Sequence, residues 1–380
     1  MEIKKLGTIC KLKQGFQVPL LEQETEYKEG LVRFIRIVDY TQNTEDVRYV
    51  KDNEKYYYVK PDDVVMVRYG AAGDVGHGIS GVIANNMFLI EPVTDINKNY
   101  LFYYLSQKKV KHKLLSTSTS TTMPALNFKI VNELDIPIWD IDKQNELVDL
   151  FDKLSKIIAD RKQELQLLDE LIKARFVELF GSIYDNKFGY DVMTLQDVCE
   201  PIKDGTHQTP IYTEDTVKGY KFLSSKDVTS GKVDWNHLKY IPEDLHNELY
   251  KRISPRKGDI LLAKNGTTGV AAIVDRDEIF DIYVSLALLR PLDMVTSEYL
   301  CSAVNSTETK HQFDGSLKGI GVPNLHLGEI KKTKIIVPPI EAQNQFADFV
   351  KQVDKSKLVV QKSLDEAQLL FDSLMQVYFG

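Results

Sequence analysis

The chain has 380 residues, enough for two domains with separate cores, and its 43% hydrophobic and 27% charged residues are ordinary for a globular protein. No stretch approaches the roughly 18 consecutive apolar residues of a membrane span, and no signal peptide follows Met1, so we expect a cytoplasmic protein without membrane contact. The net charge of −7 disfavours a nonspecific nucleic-acid coat but still allows a local basic face.

Residues 1–140 combine short β-rich runs with turn residues and are predicted to form a first α+β domain. We predict strands at 31–38, 56–59, 64–68 and 82–90, and a helix near 99–113. A Ser/Thr tract at 116–122 follows. Taken alone, this tract suits a flexible linker as well as a functional loop.

Residues 141–181 are predicted to form one long helix, because they contain no proline and no internal glycine. Apolar residues recur at alternating steps of four and three, which is typical of a coiled-coil seam. An ordinary bundle or a simple tether would show the same pattern. The seam positions are Leu147, Phe151, Leu154, Ile158, Arg161, Leu165, Leu168, Ile172, Arg175 and Leu179.

A second domain is predicted at residues 182–339, beginning with a polar linker at 182–190, and a second long helix is predicted at residues 340–380. Each helix would be about 60 Å long, so the two could pack along their whole length as an antiparallel coiled coil. We expect Arg161, Arg175 and Lys357 to fix the register through polar contacts. The second seam is Phe346, Val350, Val353, Lys357, Val360, Leu364, Ala367, Phe371, Leu374 and Tyr378.

The second half of the chain repeats the first over nearly its whole length. The offset is 199 residues from Tyr100 onward but 188 to 191 near the start, so insertions fall in the domains and not in the helices. A constant helix length beside variable domains suggests that the spacing between the domains is functional. The matching segments are 6–10 with 195–199, 13–15 with 203–205, 33–39 with 221–227, 63–73 with 259–269, and 123–127 with 322–326.

Motifs for catalysis are missing from the sequence. It contains no glycine-rich loop joined to an Asn/Asp-Pro-Pro-Tyr/Phe motif, no Walker motif, no spaced Glu-x-Lys of a nuclease core, and no histidine spacing typical of a metal site. Cys10, Cys199 and Cys301 lack zinc-ligand spacing and are predicted to be buried small side chains. We therefore expect no catalysis, metal or cofactor in this chain.

The order of these segments resembles the DNA specificity (S) subunit of type I restriction-modification systems. The second repeat matches best, at 257–262 (KGDILL), 321–325 (GVPNL) and 335–343 (IIVPPIEAQ). The first repeat departs from the pattern, with PDDV at 61–64 and IPIWDIDKQ at 136–144. It lacks the double proline but keeps the glutamine in register.

The resemblance implies that each α+β domain is a target recognition domain, reading one half of a bipartite, asymmetric sequence in double-stranded DNA. The helices would set the half-site spacing and dock two methyltransferase subunits, with restriction and translocase subunits in the full complex. Adenine N6 methylation and ATP-dependent cleavage, with S-adenosylmethionine, ATP and Mg²⁺, would belong to those partners. Half-sites one helical turn apart are about 34 Å apart, within the length of such helices.

Candidate DNA contacts lie at turns that are equivalent in the two repeats and carry polar or basic side chains. The Gly-x-x-Gly turns at 70–73 and 266–269 each follow a cation, although a tight β-turn alone explains such glycines. Loops at 116–122 and 315–321 share one place but differ in residues, as readout loops on a common frame would. The predicted contacts are Lys13, Gln17, Arg36, Arg68, Tyr69, Ser118 and Thr119 in the first domain, and Lys203, His207, Gln208, Ser225, Lys226, Lys264, Asn265 and Lys318 in the second.

Three other interpretations stay open: a noncatalytic coiled-coil scaffold whose domains bind proteins, the specificity chain of a related type II restriction-methylation system, and an enzyme with an unrecognised site. DNA binding that depends on salt and on methyltransferase partners would exclude the scaffold and the enzyme.

We expect the purified chain to transfer no methyl groups to DNA and to cleave no DNA, because it lacks the motifs that either reaction needs. The measurement is incubation of DNA with S-adenosylmethionine, ATP and Mg²⁺, with and without methyltransferase partners. Turnover by this chain alone would contradict the specificity-subunit interpretation.

Overall fold

The computed structural model describes residues 1–42, 44–116, 125–317 and 323–380. The chain divides into two compact units, which are residues 1–161 with 363–380 and residues 162–362. Each unit therefore combines one α+β region with a segment of each long helix. Within the described ranges, no helix has the length and apolar character that crossing a bilayer demands.

The first unit contains three sheets. Their strand orders are β2-β8-β5-β6, β4-β3-β7 and β1-β9, with β3 and β7 parallel and the other pairs antiparallel. The elements are β1 (Glu2–Lys5), α1 (Leu6–Ile9), β2 (Cys10–Gln14), a 3₁₀ turn (Leu20–Glu22), β3 (Leu31–Ile35), α2 (Ile37–Thr41), β4 (Arg48–Lys51), β5 (Val64–Val67), β6 (Val75–Gly76), β7 (Val82–Ile83), β8 (Met87–Pro92), α3 (Lys98–Leu105), α4 (Lys108–Ser116), α5 (Phe128–Asn132), β9 (Asp135–Ile138) and α6 (Ile141–Phe180), which continues into the second unit.

The second unit repeats these sheets strand for strand, in the orders β11-β17-β14-β15, β13-β12-β16 and β10-β18. The predicted α+β class and internal repeat are thus confirmed. Its elements are β10 (Asp191–Thr194), α7 (Leu195–Val198), β11 (Lys203–Asp204), β12 (Tyr220–Leu223), a 3₁₀ turn (Ser225–Asp227), β13 (Lys239–Ile241), α8 (Glu243–Arg252), β14 (Ile260–Ala263), β15 (Ala271–Ile273), β16 (Phe280–Ile282), β17 (Leu286–Leu289), α9 (Ser297–Val304), α10 (Thr307–Ser316), α11 (Leu327–Lys332), β18 (Lys334–Val337) and α12 (Ile340–Phe379).

The four-stranded sheet of each unit separates two hydrophobic cores. Successive side chains of a strand point to opposite faces, so β5 sends Val64 and Met66 into the core beneath α3 and the long helices. Val65 and Val67 enter the core shared with the three-stranded sheet. In the second unit, Ile260 and Leu262 alternate with Leu261 and Ala263 in the same way.

In the first unit, the segments of α6 and α12 pack antiparallel. Lys143 at the start of α6 lies 5.1 Å from the Tyr378 ring at the end of α12. Further along α6, the Phe151 ring centroid lies 5.5 Å from that of Phe371, which is earlier in α12. Seam residues in both units are buried or half-buried, so the four-three pattern correctly identified the packed face.

In the second unit, polar contacts accompany the same antiparallel packing. The Lys357 ammonium binds Asp169 of α6. Arg175 donates to Glu178 at 2.8 Å, and its guanidinium carbon lies 5.8 Å from the Phe349 ring. The Lys357 contact joins the two helices and agrees with the predicted role of this lysine in fixing register. The hydrogen bond of Arg175 lies within α6, so its polar role in register, like that of Arg161, stays a prediction.

A buried glutamine fastens the start of each long helix to its own unit. The Gln144 side chain accepts a bond from the Asn97 backbone N–H (2.9 Å) and donates to the Trp139 carbonyl (2.8 Å). This is the glutamine that the two repeats keep in register. In the second unit Gln343, which is fully buried, accepts from the Thr296 N–H (2.9 Å) and donates to the carbonyls of Met294 (2.9 Å) and Pro338 (2.8 Å).

Two predicted strands of the first domain are wrong in extent. The strand predicted at 31–38 ends at Ile35, because the Asp39 carboxylate accepts the Arg36 N–H (2.7 Å) and caps α2. The strand predicted at 82–90 is divided into β7 and β8 by a turn in which the Met87 N–H donates to the Ala84 carbonyl (3.0 Å).

Two further local predictions are also wrong. Residues 56–59, all of them described, form no strand beyond the bridge of Val59 with Gly81. The single helix predicted near 99–113 is two helices, α3 and α4. The Gln107 side chain donates to the Tyr104 carbonyl (2.9 Å) and thus provides a hydrogen-bond partner for a carbonyl in the last turn of α3.

We expect Gln343→Ala to lower the free energy of unfolding by roughly 2 to 4 kcal/mol, because it leaves three buried backbone groups without partners. Denaturant unfolding of the full chain measures this change. Gln352→Ala, on an exposed position of α12, is the matched control and should change stability by less than about 0.5 kcal/mol. Equal effects of the two substitutions would contradict the clamp role.

Candidate nucleic-acid interface

Four loops in each unit carry most of the residues predicted to contact DNA. Loop A follows β2 or β11, loop B contains α2 or the second 3₁₀ turn, loop C follows β5 or β14, and loop D joins β7 to β8 or β16 to β17. The four loops, in that order, are residues 15–19, 36–42, 68–73 and 84–86 in the first unit, and 205–210, 224–230, 264–269 and 283–285 in the second.

Loop D is the point at which the other loops are joined. In the first unit, the Phe16 N–H of loop A donates to the Ile83 carbonyl beside loop D (2.8 Å), and the Ala84 N–H donates to the Ile35 carbonyl beside loop B (2.9 Å). Loop C is attached through the Arg68 N–H, which donates to the Asn86 carbonyl (2.8 Å). The second unit has the corresponding bonds of Thr206 to Ile282 (3.2 Å), Tyr283 to Leu223 (2.8 Å) and Lys264 to Ser285 (2.9 Å).

The structure explains why glycine occupies the repeated motif positions. A Cβ on Gly15 would lie 2.2 Å from the Ala84 carbonyl oxygen, and one on Gly205 would lie 1.9 Å from that of Ile282, so only glycine lets loop A approach so closely. The Gly-x-x-Gly turns need positive φ, for example 93° at Gly70 and 76° at Gly266. Turn geometry accounts for these glycines, and contact of the turns with phosphate stays a prediction.

An open groove of about 580 Å³ lies where the four loops of the first unit meet. Its apolar lining includes Phe16, Phe34 and Ile37. Carboxamides and a guanidinium provide polar groups able to bind base edges or phosphates. The polar side chains that line the groove are Gln17, Gln23, Arg36, Thr41, Gln42, Asn85 and Asn86.

One side-chain pair braces loops A and C in each unit, with different chemistry in the two copies. In the first unit, Arg68 donates to the Gln14 side-chain oxygen (2.9 Å), and the Gln14 amide donates to the Met87 carbonyl (3.2 Å). In the second unit, the same two positions are Lys264 and Asp204, whose Nζ and Oδ2 are 2.7 Å apart. A neutral acceptor thus serves one unit and a carboxylate the other.

Asp204 is the centre of a basic cluster in the second unit. It is buried, and besides Lys264 its carboxylate lies 3.3 Å from His207 Nε2 and 3.4 Å from Arg252 Nη2. Burial alone would raise the pKa of this carboxyl, but the Lys264 ammonium and His207 outweigh it and hold the pKa below its usual value. The carboxylate is therefore charged at neutral pH and becomes protonated only below the ordinary aspartate range.

The structure places the predicted residues of the first unit as follows. Gln17 is exposed, with its oxygen 3.4 Å from the Asn85 amide, and Tyr69 is half-exposed on loop C. Lys13 lies on β2, directly before loop A, and pairs with Glu91 (2.7 Å). Arg36 pairs with Asp39 (3.3 Å) and Asp46 (3.1 Å), and Arg68 is held by Gln14. Ser118 and Thr119 lie outside the described residues.

In the second unit, the predicted residues His207, Gln208 and Lys226 are exposed on loops A and B. The Ser225 N–H donates to the Ser285 hydroxyl (2.9 Å), and Asn265 forms a backbone bridge with Asn324. Lys203 lies on β11 and donates to the Arg252 carbonyl (3.2 Å). Lys318 lies outside the described residues.

The role predicted for Lys264 changes with its position. Its side chain is only 8% exposed and its ammonium binds Asp204, so a phosphate could reach it only by breaking a buried ion pair. Lys264 is better interpreted as a residue that positions loops A and C.

Sequence reasoning missed Gln14, Asp204 and Arg252. Gln14 and Asp204 are the middle residues of the repeated Lys-x-Gly motif, so the motif itself pointed to their place. Arg252 lies at the end of α8, which has no counterpart in the first repeat, and comparison of the repeats could not find it.

The cysteines are buried, as predicted, and burial raises the pKa of each of the Cys10, Cys199 and Cys301 thiols to about 12. In the described ranges, no group of His, Cys, Asp and Glu side chains is placed to hold a metal ion.

Comparison with known proteins gives a family match over most of the chain. The sequence matches the family described as the type I restriction modification DNA specificity domain at residues 1–168 and 188–367. Similar proteins include the specificity subunit of type I restriction enzyme MjaVIII from Methanocaldococcus jannaschii, 22% identical over 99% of this chain and 91% of that protein. The EcoBI specificity subunit from Escherichia coli is also 22% identical, over 98% of this chain and 83% of that protein.

Two solved structures share the fold. A type I restriction-modification S subunit from M. genitalium has a TM-score of 0.59 at 13% identity, covering 100% of this chain and 96% of that one. A chain from a study of complex assembly and conformational transition of the type I R-M system has a TM-score of 0.56 at 16% identity, covering 99% and 96%. At such identities the likeness concerns the fold alone.

We expect Lys264→Met to lower the free energy of unfolding at pH 7 by roughly 3 to 5 kcal/mol, because it leaves a buried carboxylate with incomplete pairing. The pKa of Asp204 is lowered on folding, so this stabilisation is present above the ordinary aspartate pKa near 4 and is lost as the pH falls through the lowered value.

Unfolding of wild type and variant at pH 7 and at progressively lower pH measures the effect, and the difference should shrink below about pH 4. The matched control is Lys226→Met, on an exposed lysine of loop B. A difference that does not depend on pH would show that the ion pair is not its origin.

Proposed function

Because the chain belongs to the family of type I restriction modification DNA specificity domains, we propose that it is the sequence-reading subunit of a type I restriction-modification complex. Its substrate is double-stranded DNA. Each α+β domain reads one half of a bipartite target, and the long helices dock two methyltransferase subunits.

The observation that carries this proposal is the duplicated four-loop surface with different side chains on one frame. Loop A has Gln17 in the first unit and His207 with Gln208 in the second. Loop B begins with Arg36 in one unit and with Ser224 in the other. A shared backbone frame with different donors and acceptors suits two different half-sequences, because bases are distinguished by their hydrogen-bonding edges in the major groove.

The chemistry of the complex belongs to the partners in this proposal. Methyltransferase subunits supply S-adenosylmethionine-dependent methylation of adenine N6, and restriction and translocase subunits supply ATP- and Mg²⁺-dependent cleavage. This chain binds and orients the DNA, so its variants should change which sites are modified before they change the rate of modification.

Methylome sequencing of a host with and without this gene tests the proposal directly. A bipartite, asymmetric motif that is methylated only in the presence of the gene is the expected result. A methylome that does not respond to the gene would contradict the proposal.

The long helices are proposed to set the spacing of the two half-sites. We expect four residues inserted after Gln163 to lengthen α6 by about 6 Å, close to two base pairs of rise, while nearly preserving its apolar face. The methylated half-sequences should stay the same, and the unread spacer between them should lengthen.

Comparison of methylated motifs between the wild type and the insertion variant measures this change. The matched control is a four-residue insertion after Lys187, in the linker that follows α6, which leaves both helix lengths unchanged and should preserve the spacer. An unchanged spacer in the helix variant with full activity would exclude the ruler role. Altered half-sequences would indicate that the helix takes part in reading bases.

A further inference from the structure

The second unit contains a helix that the first lacks. Residues 52–63, all of them described, join β4 to β5 without a helix, whereas residues 242–259 join β13 to β14 and contain α8. The repeat therefore gives no explanation for α8. Its position must be explained by contacts of its own.

A buried polar contact fixes α8 against the three-stranded sheet. His246 Nδ1 lies 2.6 Å from Asp281 Oδ2 of β16, and both side chains are more than nine-tenths buried. The Tyr220 ring of β12 stacks on the imidazole at 3.7 Å and 8°. Strand pairing aligns Asp281 with Val82 and Tyr220 with Val32 of the first unit, so this polar anchor accompanies α8.

Such an anchor is better suited to holding one orientation than to adding stability, because the desolvation of buried polar side chains offsets much of their attraction. The orientation places the last residue of α8, Arg252, beside loop A. Arg252 Nη1 donates to the Gly205 carbonyl (3.3 Å) and Nη2 to Asp204 Oδ1 (3.4 Å). The side chain stays about half exposed.

Positive charge is in excess at this place. Among the described residues, Lys264, His207 and Arg252 all contact the carboxylate of Asp204, and the Lys203 ammonium lies on the Arg252 carbonyl. Lys264 and Asp204 are buried and balance each other. Arg252 and Lys203 therefore present uncompensated charge next to His207, the first exposed side chain of loop A.

The geometry leaves Arg252 with N–H groups that can bind a base edge. A guanidinium has five N–H groups, and the bonds to Gly205 and Asp204 use two of them, so three are left in a plane that the protein has already fixed. A planar fork of this kind matches the O6 and N7 acceptors of guanine, as it also matches two oxygens of a phosphate, and the experiment below separates the two.

We propose that Arg252 is a specificity-determining residue that donates to O6 and N7 of a guanine in the half-sequence read by the second unit, with Asp204 and Gly205 as its positioning groups. This inference rests on the proposed function.

The test uses the full chain assembled with its methyltransferase subunits. Arg252→Ala and Arg252→Lys should both lower discrimination at one G·C position of one half-sequence by roughly 5- to 150-fold, as expected for loss of a bidentate contact. The other half-sequence should be read as before. Methylation of a DNA library randomised at each recognised position measures this, alongside binding at several salt concentrations.

Lys251→Ala, on the neighbouring exposed position of α8, is the matched control and should leave discrimination unchanged. Arg252→Lys keeps the charge, and thermal unfolding of each variant shows whether the unit is folded. A uniform loss on all sequences for Arg252→Ala, with a salt slope reduced by about one and recovery in Arg252→Lys, would identify a phosphate contact and overturn the proposal. Unchanged discrimination, or a target without a G·C pair, would overturn it as well. A wild-type complex without any sequence preference would instead refute the proposed function.

Discussion

The architecture depends on how a long helix is fixed to a small α+β region, and a buried carboxamide in each unit adds directional hydrogen bonds to the apolar packing that does this. Gln144 and Gln343 each accept a backbone N–H at the start of α3 or α9 and donate to the segment that precedes the long helix. A carboxamide can do both at once because it carries a donor and an acceptor, and in a buried site each lost bond leaves an unsatisfied polar group. These bonds therefore hold the first turn of each long helix against its own unit.

The four-loop surface has the same backbone hydrogen bonds in both units, whereas its side chains differ. Backbone bonds through loop D, and glycines that permit close approach, hold the loops in equivalent places in both units. The brace between loops A and C changes from Gln14 with Arg68 to Asp204 with Lys264, while the backbone bonds that join the loops stay equivalent. Because the frame is held by backbone groups, exposed side chains such as Gln17 and His207 can differ without a cost to folding, which is a useful property for a protein that reads two different sequences.

The sequence predicted which loops form most of the candidate site, but not the contacts that their side chains make. Turn chemistry and the repeat identified loops A, B and C, because glycines and polar residues at equivalent positions are visible in the sequence. Loop D was hidden within a predicted strand, since the run 82–90 is almost continuously apolar and a turn of Ala84 and two asparagines is a weak signal. The side-chain contacts of these residues could not be predicted either. A lysine at a turn suggests a phosphate contact, and only the burial of Lys264 against Asp204 identifies it as a brace between loops A and C.

By itself, the sequence determined the α+β class, the internal repeat, both long helices and their packed face. These properties follow from the hydrophobic periodicity and the internal repeat of the sequence. Both can be recognised without knowing which distant residues are in contact. Tertiary structure alone decided where β3 ends, why the glutamine of each helix is needed, and how α8 brings Arg252 to loop A. Each depends on contacts between residues far apart in sequence, such as His246 with Asp281 and Arg252 with Asp204, whose geometry exists only once the sheets have formed.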